Sequence, residues 1–371
     1  MEIDVVYTDF HKAFDKVNLD RLLLKLKLYG VRDPLLSWLK TYLIGRQQIV
    51  NVNGFLSSEF LVPSGVPQGS HLGSLLFLIY INDISNAFEN CKFLLFADDV
   101  KIFRKIDTLN DTFFIQNDLD RFLKWCESND MLLSIEKCKF IKFSKRKKPS
   151  VMSSYNINNT ILEKVFVIRD LRVLIDNELT FVQHIDLIIS KSKKMLGFIT
   201  RITIKFKNVR SLVILYCSLV RSCLEYASNI WSPYYMTHID RIEGVQRKFV
   251  KLLSFRSKLY FERNNYNNII CYFGLSTLQV RRVYYQLCFM YKILNYIIMC
   301  PRLLSMISIN VHELLTRCPQ LIQVEYHRTN YGINSPLSVL TKISNNYANK
   351  LNFFGVSLNN FKHMSKNALN M

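Results

Sequence analysis

Cys91-Lys92-Phe93-Leu94-Leu95-Phe96-Ala97-Asp98-Asp99-Val100-Lys101-Ile102-Phe103 is the stretch on which the fold turns. Two apolar runs, 91–97 and 100–103, have strand composition and are separated only by Asp98-Asp99. The pattern predicts a hairpin with two adjacent carboxylates at its tip. Like charges held between apolar strands repel and lose hydration, so such a tip needs a counter-charge or a solvated turn. A divalent cation supplies the first, and an ordinary hydrated turn of two acids is the second.

Ahead of this hairpin, Val5-Val6-Tyr7-Thr8-Asp9-Phe10 predicts a strand with Asp9 at its C-terminal end. If the two strand ends lie together, three carboxylates meet at one point and suit hard, oxygen-seeking Mg²⁺ or Mn²⁺. Two such ions about 3.5 to 4 Å apart form the clamp of phosphoryl transfer. Between these strands, Asn18 caps a helix with Leu19, Leu22, Leu23 and Leu26 on one face and Gly30 as its stop. Asp33 and Pro34 open a second helix, as cap and first helical residue, that ends before Gly45. Asn53-Gly54 predicts a hairpin between 49–52 and 55–60. The Gly/Pro-punctuated run Pro63-Ser64-Gly65-Val66-Pro67-Gln68-Gly69-Ser70 then feeds an apolar helix that reaches Asp83. Beyond the hairpin, 109–131 reads as helix, 132–143 as extended and 165–175 as one strand. Amphipathic helices follow at 184–202 and 207–229. In the first of these, Ile185, Ile188, Ile189, Leu196 and Ile199 make an apolar face, with Lys191, Lys193 and Lys194 around the rest.

The 371 residues carry a net charge of +20, with 49 basic and 29 acidic residues. Residues 1–100 hold 9 basic and 11 acidic residues, so the whole excess lies later in the chain. A basic surface of that size points to a polyanion, nucleic acid first, or to a solvated Lys- and Asn-rich composition. The longest apolar run, 72–81, is about half of what a membrane span needs, and residues 1–20 lack the order of a secretory signal. An intracellular protein without a membrane partner is expected. Nine cysteines without zinc-finger spacing are expected to be reduced core residues.

Three runs together resemble the reverse transcriptases of non-LTR, LINE-type, jockey-like retrotransposons. Thr8-Asp9-Phe10-His11-Lys12-Ala13-Phe14-Asp15-Lys16-Val17 resembles motif A, Ser64-Gly65-Val66-Pro67-Gln68-Gly69-Ser70 motif B, and Phe96-Ala97-Asp98-Asp99 motif C. Leu133-Ser134-Ile135-Glu136-Lys137-Cys138 is similar to motif D and Asp170-Leu171-Arg172-Val173-Leu174-Ile175-Asp176 to motif E. Leu224-Glu225-Tyr226-Ala227-Ser228, Trp231-Ser232-Pro233 and Ile242-Glu243-Gly244-Val245-Gln246-Arg247 resemble the thumb and C-terminal region of these elements. The resemblance implies an α+β, right-hand polymerase palm of antiparallel sheet and packed helices, followed by a mainly helical thumb. Its domains are a palm at 1–150, motif E and thumb at 151–235, and a helical region at 236–371.

The implied function is RNA-directed DNA polymerisation, adding dNTPs to a DNA primer on an RNA template with two Mg²⁺ or Mn²⁺ ions. Asp9, Asp98 and Asp99 are implied as metal ligands and catalytic residues, with Lys137 as proton donor to pyrophosphate. Phe10, Phe14, Gln68 and Gly69 are implied as substrate-binding, Phe14 by excluding a 2′-hydroxyl and Gly69 by allowing close backbone approach. Against these stand a core role for Phe14, an ordinary turn at Gln68-Gly69 and a solvated Lys137. Arg172 stands where the family has Gly, which is expected to loosen a tight turn. The chain starts eight residues before Asp9, so a fingers region and an endonuclease are expected to be missing and activity alone to be weak or absent. A non-catalytic nucleic-acid-binding remnant is the alternative, and an intron-specific maturase a third reading. Lys145-Arg146-Lys147-Lys148 has the composition of a nuclear signal or a solvated loop.

Overall fold

The computed structural model describes residues 2–146, 151–259, 266–310 and 320–371. They group into two compact units, Met1–Thr180 and Phe181–Met371. Lys147 and Lys148 of the basic run lie outside the described residues.

The first unit is built on a five-stranded sheet. Its strands are β1 (Ile3–Thr8), β2 (Lys92–Phe96), β3 (Asp99–Lys105), β4 (Lys139–Phe143) and β5 (Glu163–Val165), in the order β5-β4-β1-β3-β2. β1 lies at the centre, antiparallel to β3 and to β4, with Thr8 opposite Val100 and Val6 opposite both Ile102 and Phe140. Because side chains alternate across a strand, Val6, Val100, Ile102 and Phe140 face one side together. There they pack on α1 (Leu19–Leu28), α3 (His71–Ile81) and α4 (Leu109–Ser128), through Leu22 and Leu26, Phe77 and Tyr80, and Leu119 and Phe122. Tyr7, Asp9, Asp99 and Lys101 occupy the alternate positions and belong to the other face.

Local chemistry sets the helix ends. Asn18 Oδ1 accepts from Arg21 N at 3.1 Å, and Gly30 has φ +91°. α2 (Leu35–Leu43) starts one residue later than expected: Pro34 is the cap, and Asp33 Oδ1 accepts from Ser37 N at 3.1 Å from one position further back. Residues 47–61 form the expected hairpin. Gln47–Gln48 pairs with Phe60–Leu61 and Asn51–Val52 with Phe55–Leu56, across Asn53 (φ +52°) and Gly54 (φ +91°). Its Ile49, Val52, Phe55, Leu56 and Leu61 are all exposed.

Three expected elements differ. The span 165–175 is a hairpin rather than one strand, with β6 (Val167–Asp170) paired to β7 (Val173–Asp176). Its turn, Leu171-Arg172, keeps φ +42° and +70°, so the tight turn expected to be loosened by Arg172 is present. The extended span 132–143 is interrupted by a 3₁₀ turn, Ile135–Lys137. The helix expected at 207–229 runs unbroken over 209–225 through a π segment at Tyr216–Arg221, and the left-handed Ala227 then starts Ser228–Trp231. Trp231 is buried beyond the break at Tyr226-Ala227, and its indole N–H donates to Tyr226 O at 2.7 Å.

The second unit is mainly helical. α5 (Val182–Ile202) buries the expected Ile185, Ile188, Ile189, Leu196 and Ile199 and exposes Lys191, Lys193 and Lys194. α6 (Met236–Arg256), α7 (Tyr266–Tyr272) and α8 (Leu278–Leu294) follow, then α9 (Pro336–Tyr347) and α10 (Leu358–Ala368). Leu287, Met290, Leu340, Phe353 and Phe361 form a core between the last three. The +20 divides sharply: the first unit has 24 basic and 22 acidic residues, the second 25 and 7. Among the described residues no helix is long and apolar enough to cross a membrane. The described cysteines are free. Cys126, Cys138 and Cys288 are buried as expected, whereas Cys271 is exposed.

Candidate active site

The carboxylates at the end of the sheet are positioned by strand register. Thr8 opposite Val100 makes Asp9 and Asp99 the next residues on two paired strands. Asp99 is the first residue of β3, opposite Phe96, so the turn is Ala97-Asp98 and not Asp98-Asp99. Ala97 takes the left-handed φ of +52° that the turn requires. Asp98 is half-buried and Asp99 is exposed, so the tip is more open to water than two acids enclosed by apolar strands.

Asp9 is fixed from its other side as well. Ser134 N donates to Asp9 O at 2.8 Å, His11 N donates to Leu132 O at 2.7 Å, and Phe10 bridges Leu133. This threads the motif A segment between β3 and residues 132–134. The 3₁₀ turn that follows delivers Lys137, whose Nζ lies 3.0 Å from Asp9 Oδ2. The neighbouring Asp9 carboxylate raises the Lys137 ammonium further above its ordinary range.

Electrostatics tie the cluster together. The Asp99 carboxyl is pushed up by partial burial and then by Asp98, is pulled down by Lys101, and is pushed up again by Asp9 and Asp170. Repulsion among acids at one sheet end is what a hard divalent cation relieves, so the donors fit such an ion in kind. Among the described residues, however, no three His, Cys, Asp or Glu side chains converge enough to hold an ion as they stand.

Motif B is docked on motif A by its backbone. Gly65 N donates to Val17 O at 2.8 Å and Val66 N to Phe14 O at 2.9 Å. Gly65 is obligatory here, because at φ +86° a Cβ would sit 2.7 Å from Asp15 O. Gln68 is exposed, and its Nε2 donates to Asp15 Oδ1 at 2.9 Å. Gly69 has φ +80° with open space where a Cβ would be. The ring of Phe14 is half-buried and stacks on Phe77 with centroids 4.2 Å apart. Phe10 lies apart from the others: it is 2% exposed and packs edge-on against Phe122, so its side chain belongs to the core rather than to a substrate surface.

Sequence reading passed over several residues that complete this site. Asp15 anchors Gln68, and Arg46 braces motif B by donating to Gly65 O. These two and Gln68 line a cavity of about 300 Å³. At Gly73 a Cβ would meet Pro67 O at 2.1 Å, so the entry of α3 tolerates no side chain. Lys101 pairs with Asp170 on the Asp99 face of the sheet, and Tyr7 OH donates to Asp170 Oδ2 at 3.4 Å. These partners are 19 to 163 residues apart in sequence, and no local spacing signals them.

A family described as reverse transcriptase (RNA-dependent DNA polymerase) matches residues 4–200, more than half of the chain. The chain belongs to the reverse transcriptase family. Among its relatives is the RNA-directed DNA polymerase from mobile element jockey of Drosophila funebris, 29% identical over 266 residues. That of Drosophila melanogaster is 27% identical over 259 residues. Each match covers 67% of this chain and 28% of the relative, so this reverse transcriptase chain spans little more than a quarter of their length. A solved telomerase structure from Candida albicans superposes with a TM-score of 0.37 at 10% identity, covering 76% of this chain and 45% of the other.

Proposed function

We propose that the chain is the polymerase part of a non-LTR retrotransposon reverse transcriptase, with the first unit as palm and the helices from α5 onward as thumb and C-terminal region. The observation that carries this is the register that sets Asp9 and Asp99 side by side, with Asp98 in the adjoining turn. Two bound Mg²⁺ or Mn²⁺ ions would supply activation of the primer 3′-hydroxyl and charge neutralisation on the departing pyrophosphate. Asp9, Asp98 and Asp99 would hold them. The 3′ oxygen attacks the α-phosphorus of a dNTP, the bond to pyrophosphate breaks, and the hydroxyl proton passes to solvent water. Lys137, released from the Asp9 carboxylate it now pairs with, would protonate the leaving pyrophosphate. Phe14, held flat by Phe77, would exclude a 2′-hydroxyl. Gln68, anchored on Asp15, and the open backbone at Gly69 would face the nucleotide. Exposed Phe96, opposite Asp99, adds an aromatic surface for a base. Lys191, Lys193 and Lys194 supply phosphate contacts for an RNA template paired to a DNA primer. Priming at chromosomal DNA would place the protein in the nucleus.

A chain that binds nucleic acid without chemistry is favoured by one observation: Asp9 is engaged by Lys137 and the three carboxylates do not converge. Primer extension separates the two readings. With an annealed DNA primer on an RNA template, dNTPs and Mn²⁺, weak incorporation is expected and is abolished by Asp98→Asn. Absence of incorporation with retained template binding supports the non-catalytic reading.

A further inference from the structure

Lys101 and Asp170 form an ion pair whose side chains are only 12% and 15% exposed. The hydroxyl of Tyr7 donates to the same carboxylate at 3.4 Å, and the Lys101 ammonium lies 5.7 Å from the Tyr7 ring centroid. These contacts join β1, β3 and the β6–β7 hairpin at a single place. Lys101 stands opposite Tyr7 and two residues after Asp99 on the same face of β3. Asp170 is the last residue of β6 and pairs Val173 across the Leu171-Arg172 turn, so the tie holds the turn end of the hairpin. The opposite end is held otherwise, by Asn177 N on Phe166 O at 2.9 Å and Ser144 N on Asn177 O at 3.2 Å. Without Lys101 the Asp170 carboxylate keeps the longer phenol contact and loses its cation while half-buried.

We propose that Lys101 and Asp170 are positioning residues: their ion pair clamps the turn end of the β6–β7 hairpin beside Asp99 and so fixes where a primer end meets the carboxylates. This rests on the polymerase reading for its substrate, while the clamp itself rests on the contacts alone. A displacement of about 1 Å between reacting groups lowers rate by roughly 100-fold, so a hairpin free to shift should act on turnover.

The test uses the full chain and three variants: Lys101→Met, Asp170→Asn, and the exchanged pair Lys101→Asp with Asp170→Lys. Amide hydrogen exchange over residues 167–176 reads the clamp. Primer extension on an RNA template reads kcat and the KM for dNTP. Each single variant is expected to speed hairpin exchange by about tenfold. Each is also expected to lower kcat by about tenfold or more, with the dNTP KM within about twofold of wild type. The exchanged pair should recover both. Unchanged hairpin exchange in Lys101→Met overturns the clamp, and faster exchange with wild-type kcat overturns its positioning role. A wild-type chain that extends no primer overturns the polymerase reading instead. Hairpin exchange and the affinity for annealed primer and template, read by fluorescence anisotropy, then decide the clamp.

Discussion

Arg172 occupies φ +70°, a conformation that crowds Cβ against the following carbonyl in any L residue with a side chain. Leu171 before it has φ +42°, so both central residues of the β6–β7 turn are left-handed, the geometry that glycine and asparagine favour. The strand pairing on either side holds the turn in spite of that cost. Arg172→Gly should therefore stabilise the protein by about 1 kcal/mol, because relief of strain exceeds the extra freedom gained by the unfolded chain. Thermal unfolding checks this: a midpoint raised by about 2 to 4 °C is expected, and a lowered one would contradict the strain argument. The same residue shows what a one-dimensional reading misses. A glycine replaced by arginine suggests a lost turn, yet pairing enthalpy over β6 and β7 outweighs the local preference. The one-residue shift of the turn at the sheet end has a related cause: Asp-Asp is the polar dipeptide, but Ala97 takes the strained position and frees Asp99 to pair with Phe96.

Among elements, the segment Ile242 to Arg247 owes its composition to a buried polar network. Glu243 accepts from Tyr266 OH at 2.6 Å, from Leu278 N at 3.0 Å and from Gln246 Nε2 at 3.2 Å, and Tyr216 OH donates to Gln246 Oε1 at 3.0 Å. α6, α7 and α8 are thereby fastened to one carboxylate. Glu243→Ala leaves a phenol and a backbone N–H without an acceptor, while the Gln246 amide keeps Ser276 O at 2.9 Å, and should cost about 3 kcal/mol. An unfolding free energy within about 1 kcal/mol of wild type would show that the network contributes little. Burial lifts the Glu243 carboxyl above its ordinary 4.5, although Tyr266, Leu278 and Arg282 pull the other way. The folded state therefore holds this proton more tightly than the unfolded chain, and the Glu243 contribution falls as pH rises from about 4.5. Glu243→Gln should remove that part of the pH profile. Helix caps at Asn18, the Asn53-Gly54 hairpin and the buried stripe of α5 were legible in the sequence because each depends on residues within one or two turns. The partners of Asp15, Lys101 and Glu243 were not, because they are set by how distant strands and helices pack.

At the scale of the molecule, charge is divided unevenly between the two units. Nearly all of the +20 belongs to residues 181–371, while the carboxylate cluster sits in a unit with 24 basic and 22 acidic residues. If α5 grips a duplex by its phosphates, replacing Lys191 and Lys194 by Ala should weaken binding equally across sequences. The slope of log affinity against log salt should become shallower by about 2. An unchanged slope would move the contact to another helix. The central claim concerns the other unit, and it is that Asp9, Asp98 and Asp99 are a metal-binding set. Lys137 now holds Asp9, so an ion must displace it, and the like charges at the sheet end favour that exchange. The most direct measurement is titration of the full chain with Mn²⁺, followed by electron paramagnetic resonance in the presence of annealed primer, template and matching dNTP. Saturable binding that is lost in both Asp9→Ala and Asp98→Asn is expected. Binding that is unaffected by either substitution would contradict the claim.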